Sequence, residues 1–162
     1  MESQLDIPKG VSVSLEDRVL SVKGPKGEVK MDCPKTITIS IDKSAVKIIG
    51  GGAMAGTYTA HLENAFRGVV DGHRKQAKIL YSHFPMKAEV KGQEVHIKNF
   101  LGGKVTRVAG IVGSSKVKIK GQDIDIEGPD AYAVGQTAAN LQQATKIRKK
   151  DKRIFQDGIY VV

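Results

Sequence analysis

Residues 146–153 read Lys-Ile-Arg-Lys-Lys-Asp-Lys-Arg, six cations in eight positions opposed by Asp151 alone. Positive charge at that density attracts polyanions, and Lys and Arg side chains that replace counterions on phosphates give binding that falls steeply with salt. The ten residues before it, QTAANLQQAT (136–145), carry no charge. Gln142 and Gln143 lie near their end, and a side-chain amide both donates and accepts, as contact with base edges or 2′-hydroxyls requires. The plainer reading of such a charge run is a helix end followed by a solvated tail. Against it, Ile147, Ile154 and Phe155 lie in or beside the block. The expectation is that these three pin the block to the body of the fold.

The other basic sets are thinner. Residues 95–122 contain Lys98, Lys104, Arg107, Lys116, Lys118 and Lys120 and no acid. Lys116, Lys118 and Lys120 alternate, which places them on one face of a strand, and a solvated sheet face is the ordinary fate of such a row. Arg67, Arg74, Lys75 and Lys78 surround the end of the first expected helix, where cations suit the helix dipole.

Patterns for enzyme chemistry are weaker still. GGGAMA (50–55) fits a dinucleotide fingerprint, with Asp71 21 residues after Gly50. That fingerprint needs parallel strands with near-continuous apolar runs, whereas the flanking strands here alternate and read as antiparallel. His61, His73, His83 and His96 share no metal-ligand spacing, so no metal is expected. No nucleophile–base pair or carboxylate pair stands out, and no cofactor or catalytic residue is expected. Cys33 is the single cysteine; it excludes an internal disulfide and reads as a small core or loop residue.

Short strands and two helices must position these groups. Val11, Val13 and Leu15 alternate with serines, Glu16–Arg18 can turn, and Val19–Lys23 returns. Glu28–Met31, Thr36–Ile41 and Ala45–Ile49 continue the pattern. The period then changes: Tyr58, Leu62, Ala65, Phe66, Val69 and Val70 form a helical stripe, with Thr57 expected as N-cap and Gly72 as the stop. A strand over Gln76–Tyr81 follows. Met86, Ala88 and Val90 alternate, Gly92-Gln93 can turn, and Val95 and Ile97 return. Val105–Val108, Ile111–Val112, Lys116–Lys120 and Ile124–Glu127 read as further strands. Gly128-Pro129-Asp130 breaks the pattern before a helix carrying Val134, Ala138, Leu141 and Ala144.

The two halves repeat one order. VSVSLEDRVLSVKGPKGEV (11–29) aligns with MKAEVKGQEVHIKNFLGGKV (86–105), and GTYTAHLENA (56–65) with GQTAANLQQA (135–144). The expected architecture is therefore α+β: two similar small domains from an internal duplication, 1–81 and 82–162, each an antiparallel sheet covered by one helix. Each is near the size at which core burial alone is marginal.

Of the formal net charge of +9, the first half to Ile79 carries +3 and the remainder +6, so the second half is the expected polyanion-facing part. Four Tyr, four Phe and no Trp are few for a single-strand platform that stacks successive bases, and no RNP1-like or GXXG pattern is present. Structured RNA recognised by shape and phosphate contacts fits better. The opening MESQLDIPKG lacks the features of a signal peptide, and no apolar run approaches a membrane span, so a cytosolic protein with no membrane partner is expected.

Four stretches, YSHFPM (81–86), KNFLGGK (98–104), VGQTAANLQQATKI (134–147) and FQDGIYVV (155–162), together resemble large-subunit ribosomal protein six in its archaeal and eukaryotic form. The resemblance spans essentially the whole chain, is most specific from Val134 onward, and agrees with a duplicated domain. It implies a non-enzymatic structural constituent of the large ribosomal subunit, cytoplasmic and ribosome-bound, that binds 23S-type rRNA. It also implies a place near the stalk base and the sarcin–ricin loop, beside neighbouring large-subunit proteins and where translational GTPases land. Most rRNA contact then falls to the second domain. The implied contact residues are Lys98, Lys104, Arg107, Gln142, Gln143, Lys146, Arg148, Lys149, Lys150, Lys152 and Arg153. Nothing is transferred from the different basic tail of bacterial members. The alternative from composition alone is a free-standing binder of structured RNA or DNA.

Overall fold

The computed structural model describes residues 2–162, which divide into two compact units. The first runs to His73 and takes in Pro129–Ala131; the second comprises Arg74–Gly128 and Tyr132–Val162.

The first unit contains β1 (Glu2–Asp6), β2 (Ser12–Glu16), β3 (Val19–Gly24), β4 (Gly27–Asp32), β5 (Ile37–Ile41), β6 (Ala45–Gly50) and α1 (Gly52–Val70). Strands β2, β3 and β4 make one antiparallel sheet, and β1, β6 and β5 another. Asp17 and Arg18 join β2 to β3 with φ of 45° and 65°, the two positive angles of a primed hairpin turn whose twist suits the flanking strands. The alternation then sends Leu20, Val22, Val29, Val46 and Ile48 inward, where Leu62, Phe66 and Val69 of α1 pack on them. Gly24 sits where β3 meets this helix: a Cβ there would stand 2.8 Å from Val69 Cβ, and the Lys26 N–H donates to Val69 O at 2.8 Å.

Thr57 is not the N-cap expected from the sequence. Helix α1 begins at Gly52 with Gly51 as its cap, and Thr57 Oγ1 donates to Ala53 O one turn back. The apolar stripe marked where the helix buries its face but not where its backbone bonds begin. Gly72 does follow the helix end, at φ 81°. GGGAMA occupies the entry to α1, but β6 before it is antiparallel to both β1 and β5. Helix α1 is thus no parallel crossover, and the dinucleotide reading lacks its structural context.

The second unit contains β7 (His73–Leu80) and α2 (Ala131–Ala144), each apart from its first residue, with β8 (Lys87–Lys91), β9 (Glu94–Lys98), β10 (Arg107–Gly110), β11 (Lys116–Lys120), β12 (Asp123–Gly128) and β13 (Gly158–Val161). One sheet has the order β10-β9-β8 and the other β11-β12-β7-β13. Val95, Ile97, Ile79, Ile124, Ile126 and Ile159 form its core with Val134, Ala138 and Leu141 of α2. The duplicated sheet-plus-helix design is thus present in both units, each holding two small sheets around one helix. Val105, Ile111 and Val112 lie outside strands: β10 starts at Arg107 and the chain leaves it at Gly110. Val105 is 81% exposed, so its β-branched type had no cross-strand neighbour to pack against. Strand β13 completes the larger sheet beside β7, with Gly158 opposite Leu80 and Tyr160 opposite Lys78.

Candidate nucleic-acid interface

The end of α2 organises the basic block. Gln142 and Gln143 are exposed on its last turn, while Leu141 and Thr145 are buried beneath them. Thr145 Oγ1 lies 3.3 Å from Leu141 O and from Gln142 O and accepts the Ile159 N–H at 2.9 Å. That hydroxyl ties the helix terminus to β13. The last turn of α2 has no basic residue of its own. Arg107 supplies one from β10: its Nη1 donates to Ala144 O at 3.0 Å, and its guanidinium lies 4.6 Å over the Phe100 ring. A cation on a terminal carbonyl satisfies an orphan acceptor and complements the helix dipole.

The chain then turns through the block itself. Ile147 is buried at 7% exposure, while Arg148, Lys149 and Lys150 are exposed and Lys149 has φ 59°. Lys150 Nζ stands 4.8 Å over the Phe155 ring, and that ring stacks on His83 with centroids 4.7 Å apart. Asp151 accepts from the Arg153 N–H at 2.9 Å and from its Nε and Nη2 at 3.2 and 3.0 Å. The Arg153 hydrogen bonds hold the Asp151 carboxyl below its ordinary value. One acid is thus spent locally on one of the six cations.

Two of the three expected anchors hold. Ile147 is in the core and Phe155 packs against it, but Ile154 is 62% exposed. The turn explains the difference, since the Ile154 and Phe155 N–H groups both donate to Asp151 O and only Phe155 is directed onto the core. A stronger tether was hidden two residues on. Asp157 is 1% exposed, and its Oδ1 accepts from the Ser82 N–H at 3.2 Å and Ser82 Oγ at 3.0 Å, with His83 Nδ1 at 3.5 Å. Burial alone would raise this carboxyl. The Ser82 and His83 hydrogen bonds outweigh it and hold the group below the usual carboxylate range.

Gln142, Gln143, Lys146 and Lys152 converge on a groove of about 430 Å³ beside α2, which Tyr160, Ile147 and Ile159 also line. Arg148, Lys149 and Lys150 lie on the turn between its two lysines. Lys98 and Lys104 stand apart from this lining. Lys98 ends β9 and donates to Glu89 Oε2 at 3.2 Å, a pairing that lowers the Glu89 carboxyl. Lys104 is exposed in the loop before β10 and makes no ion pair among the described residues. Arg107 is committed to Ala144 O and Phe100. The groove contributions of Tyr160 and Ala139 had no signal in local sequence, because β13 and α2 meet only in the folded unit.

No group of three or more His, Cys, Asp or Glu side chains able to hold a metal occurs among the described residues. Burial pushes the Cys33 thiol up, against a nucleophilic thiolate.

The family model for "Ribosomal protein L6" matches residues 7–72 and again 84–158, the two halves that the sequence repeats. The chain belongs to the ribosomal protein L6 family. Archaeal members resemble it over nearly their whole length. The large ribosomal subunit protein uL6 of Staphylothermus marinus is 44% identical, covering 98% of this chain and 91% of that protein. Its counterpart in Methanosarcina mazei is also 44% identical, over 98% and 94%, and that of Methanobrevibacter smithii is 41% identical over 100% and 95%. These L6 relatives are ribosomal proteins and not enzymes.

Proposed function

We propose that the chain is a structural constituent of the large ribosomal subunit that binds 23S-type rRNA through the end of α2 and the turn that follows. The observation that carries this is the anchored block. Five exposed cations at Lys146, Arg148, Lys149, Lys150 and Lys152 have no carboxylate bonded to them among the described residues, while Ile147, Phe155 and Asp157 fix their backbone. A cation already ordered costs less to place on a phosphate than one on a loose tail. Arg153 can leave Asp151 at little cost, since its side chain is 91% exposed and a surface pair is weak. Lys98, Lys104 and Arg107 extend the proposed contact, with Arg107 acting chiefly by fixing the helix end. Membership in the L6 family and the names of its archaeal relatives support the ribosomal, cytoplasmic setting. The finer placement near the stalk base and sarcin–ricin loop, among neighbouring proteins and within reach of translational GTPases, rests on the resemblance of residues 134–162 to the family.

Co-sedimentation with large subunits at low salt tests this reading. The protein is expected in the subunit fraction. Its absence there, or equal binding to unrelated duplexes, would instead favour a free-standing nucleic-acid binder.

A further inference from the structure

The groove beside α2 has a chemistry that phosphate binding does not use. Its volume of about 430 Å³ falls within the ~300–1,000 Å³ of small-ligand sites. Ile147 and Ile159 make part of its wall apolar. Tyr160 is 39% exposed, and its hydroxyl donates to Gln156 O at 3.1 Å, so the ring is held in one orientation. Gln142 and Gln143 bring amides, and Lys146 and Lys152 bring cations. A continuous A-form helix offers phosphates and 2′-hydroxyls to a surface, but nothing that fills a concave, partly apolar site. An unstacked nucleotide offers all three matching parts: an aromatic face, a hydrogen-bonding edge and a phosphate. One fixed aromatic is enough for one base, so a chain poor in aromatics can still build such a site.

We propose that this groove receives a single nucleotide turned out of the rRNA stack. Its base lies against Tyr160 and the apolar wall, its edge is read by Gln142 and Gln143, and its flanking phosphates meet Lys146 and Lys152. The inference rests on the rRNA-binding reading and adds a point of base recognition to a surface otherwise built for phosphates.

The test uses the full chain and protein-free large-subunit rRNA at low salt, with dimethyl sulfate and 2′-hydroxyl acylation mapping the complex. One unpaired nucleotide in the footprint is expected to lose reactivity at its base edge. Ala139→Leu fills the groove from a helix position that favours Leu and leaves every charge in place. It should restore reactivity at that nucleotide and weaken binding about tenfold, as loss of a base–aromatic stack does. Should Ala139→Leu fail to fold by circular dichroism, Gln142→Ala with Gln143→Ala, at two exposed positions, carries the same expectation for the nucleotide. Binding that persists with a footprint indifferent to these changes would overturn the groove inference and leave rRNA binding standing. That outcome includes a groove filled by a protein segment. Failure of the unaltered chain to bind the rRNA would remove both.

Discussion

Two rows of positive charge in the second unit have opposite settings. On β11, Lys116, Lys118 and Lys120 face Glu127, Asp125 and Asp123 across the β11–β12 ladder, one acid opposite each lysine. Arg74 and Gln76 of β7 complete the lattice, donating to Asp125 Oδ1 at 2.9 and 3.2 Å. The Arg74 hydrogen bond depresses the Asp125 carboxyl, and Asp125 in turn raises the Arg74 guanidinium. After α2, six cations share one acid. Cross-strand opposite charges stabilise a sheet modestly and cancel its outward field. An unbalanced block instead repels itself and is retained at the expense of stability unless a polyanion covers it. A run of lysines in the sequence is therefore not by itself a measure of attraction for phosphate.

The contrast can be broken most forcefully at the block. Arg148→Ala with Lys149→Ala and Lys150→Ala should deplete the protein from large subunits. The same treatment of Lys116, Lys118 and Lys120 should leave it there, as judged by co-sedimentation of both variants in one gradient series. A second approach loosens the anchor and keeps the charge. Phe155→Ala removes the ring beneath Lys150 and beside His83, and a partly buried Phe should cost about 2 kcal/mol in urea unfolding. Thr145→Val leaves the Ile159 N–H without its partner in a buried site, a loss of about 1–3 kcal/mol by the same measurement.

The smallest effect is a pH dependence. Asp157 has a folded pKa below its unfolded value, so its contribution is present above the unfolded pKa and is lost as pH falls through the folded one. Stability should decline below about pH 4, and Asp157→Asn should flatten that part of the curve. Asp125 is depressed in the same sense but is more exposed, so Asp125→Asn should flatten it less.

Much of this was legible in the sequence because it depends on local period. The alternation of Val19–Lys23 and Ile124–Glu127 and the stripe of Val134, Ala138 and Leu141 all became buried faces. The duplication was legible because both copies kept their hairpins and helices. What escaped depends on partners distant in sequence. Arg107 caps a helix end 37 residues away, and Asp157 accepts from Ser82, 75 residues away. Ile154 looked like an anchor by type, but the turn built on Asp151 left it outside. The lysine row of β11 was legible as a sheet face, while the acid opposite each lysine needed the register with β12.

The salt dependence of binding to large-subunit rRNA compares the two rows directly. Each cation withdrawn from a phosphate lowers the slope of log affinity against log salt by about 0.9 units. Replacing Arg148, Lys149 and Lys150 by Ala is expected to flatten the slope by about two to three units, and replacing Lys116, Lys118 and Lys120 by Ala to leave it within about half a unit. A slope that survives the first replacement, or collapses with the second, would contradict the assignment of the phosphate contacts to the turn after α2.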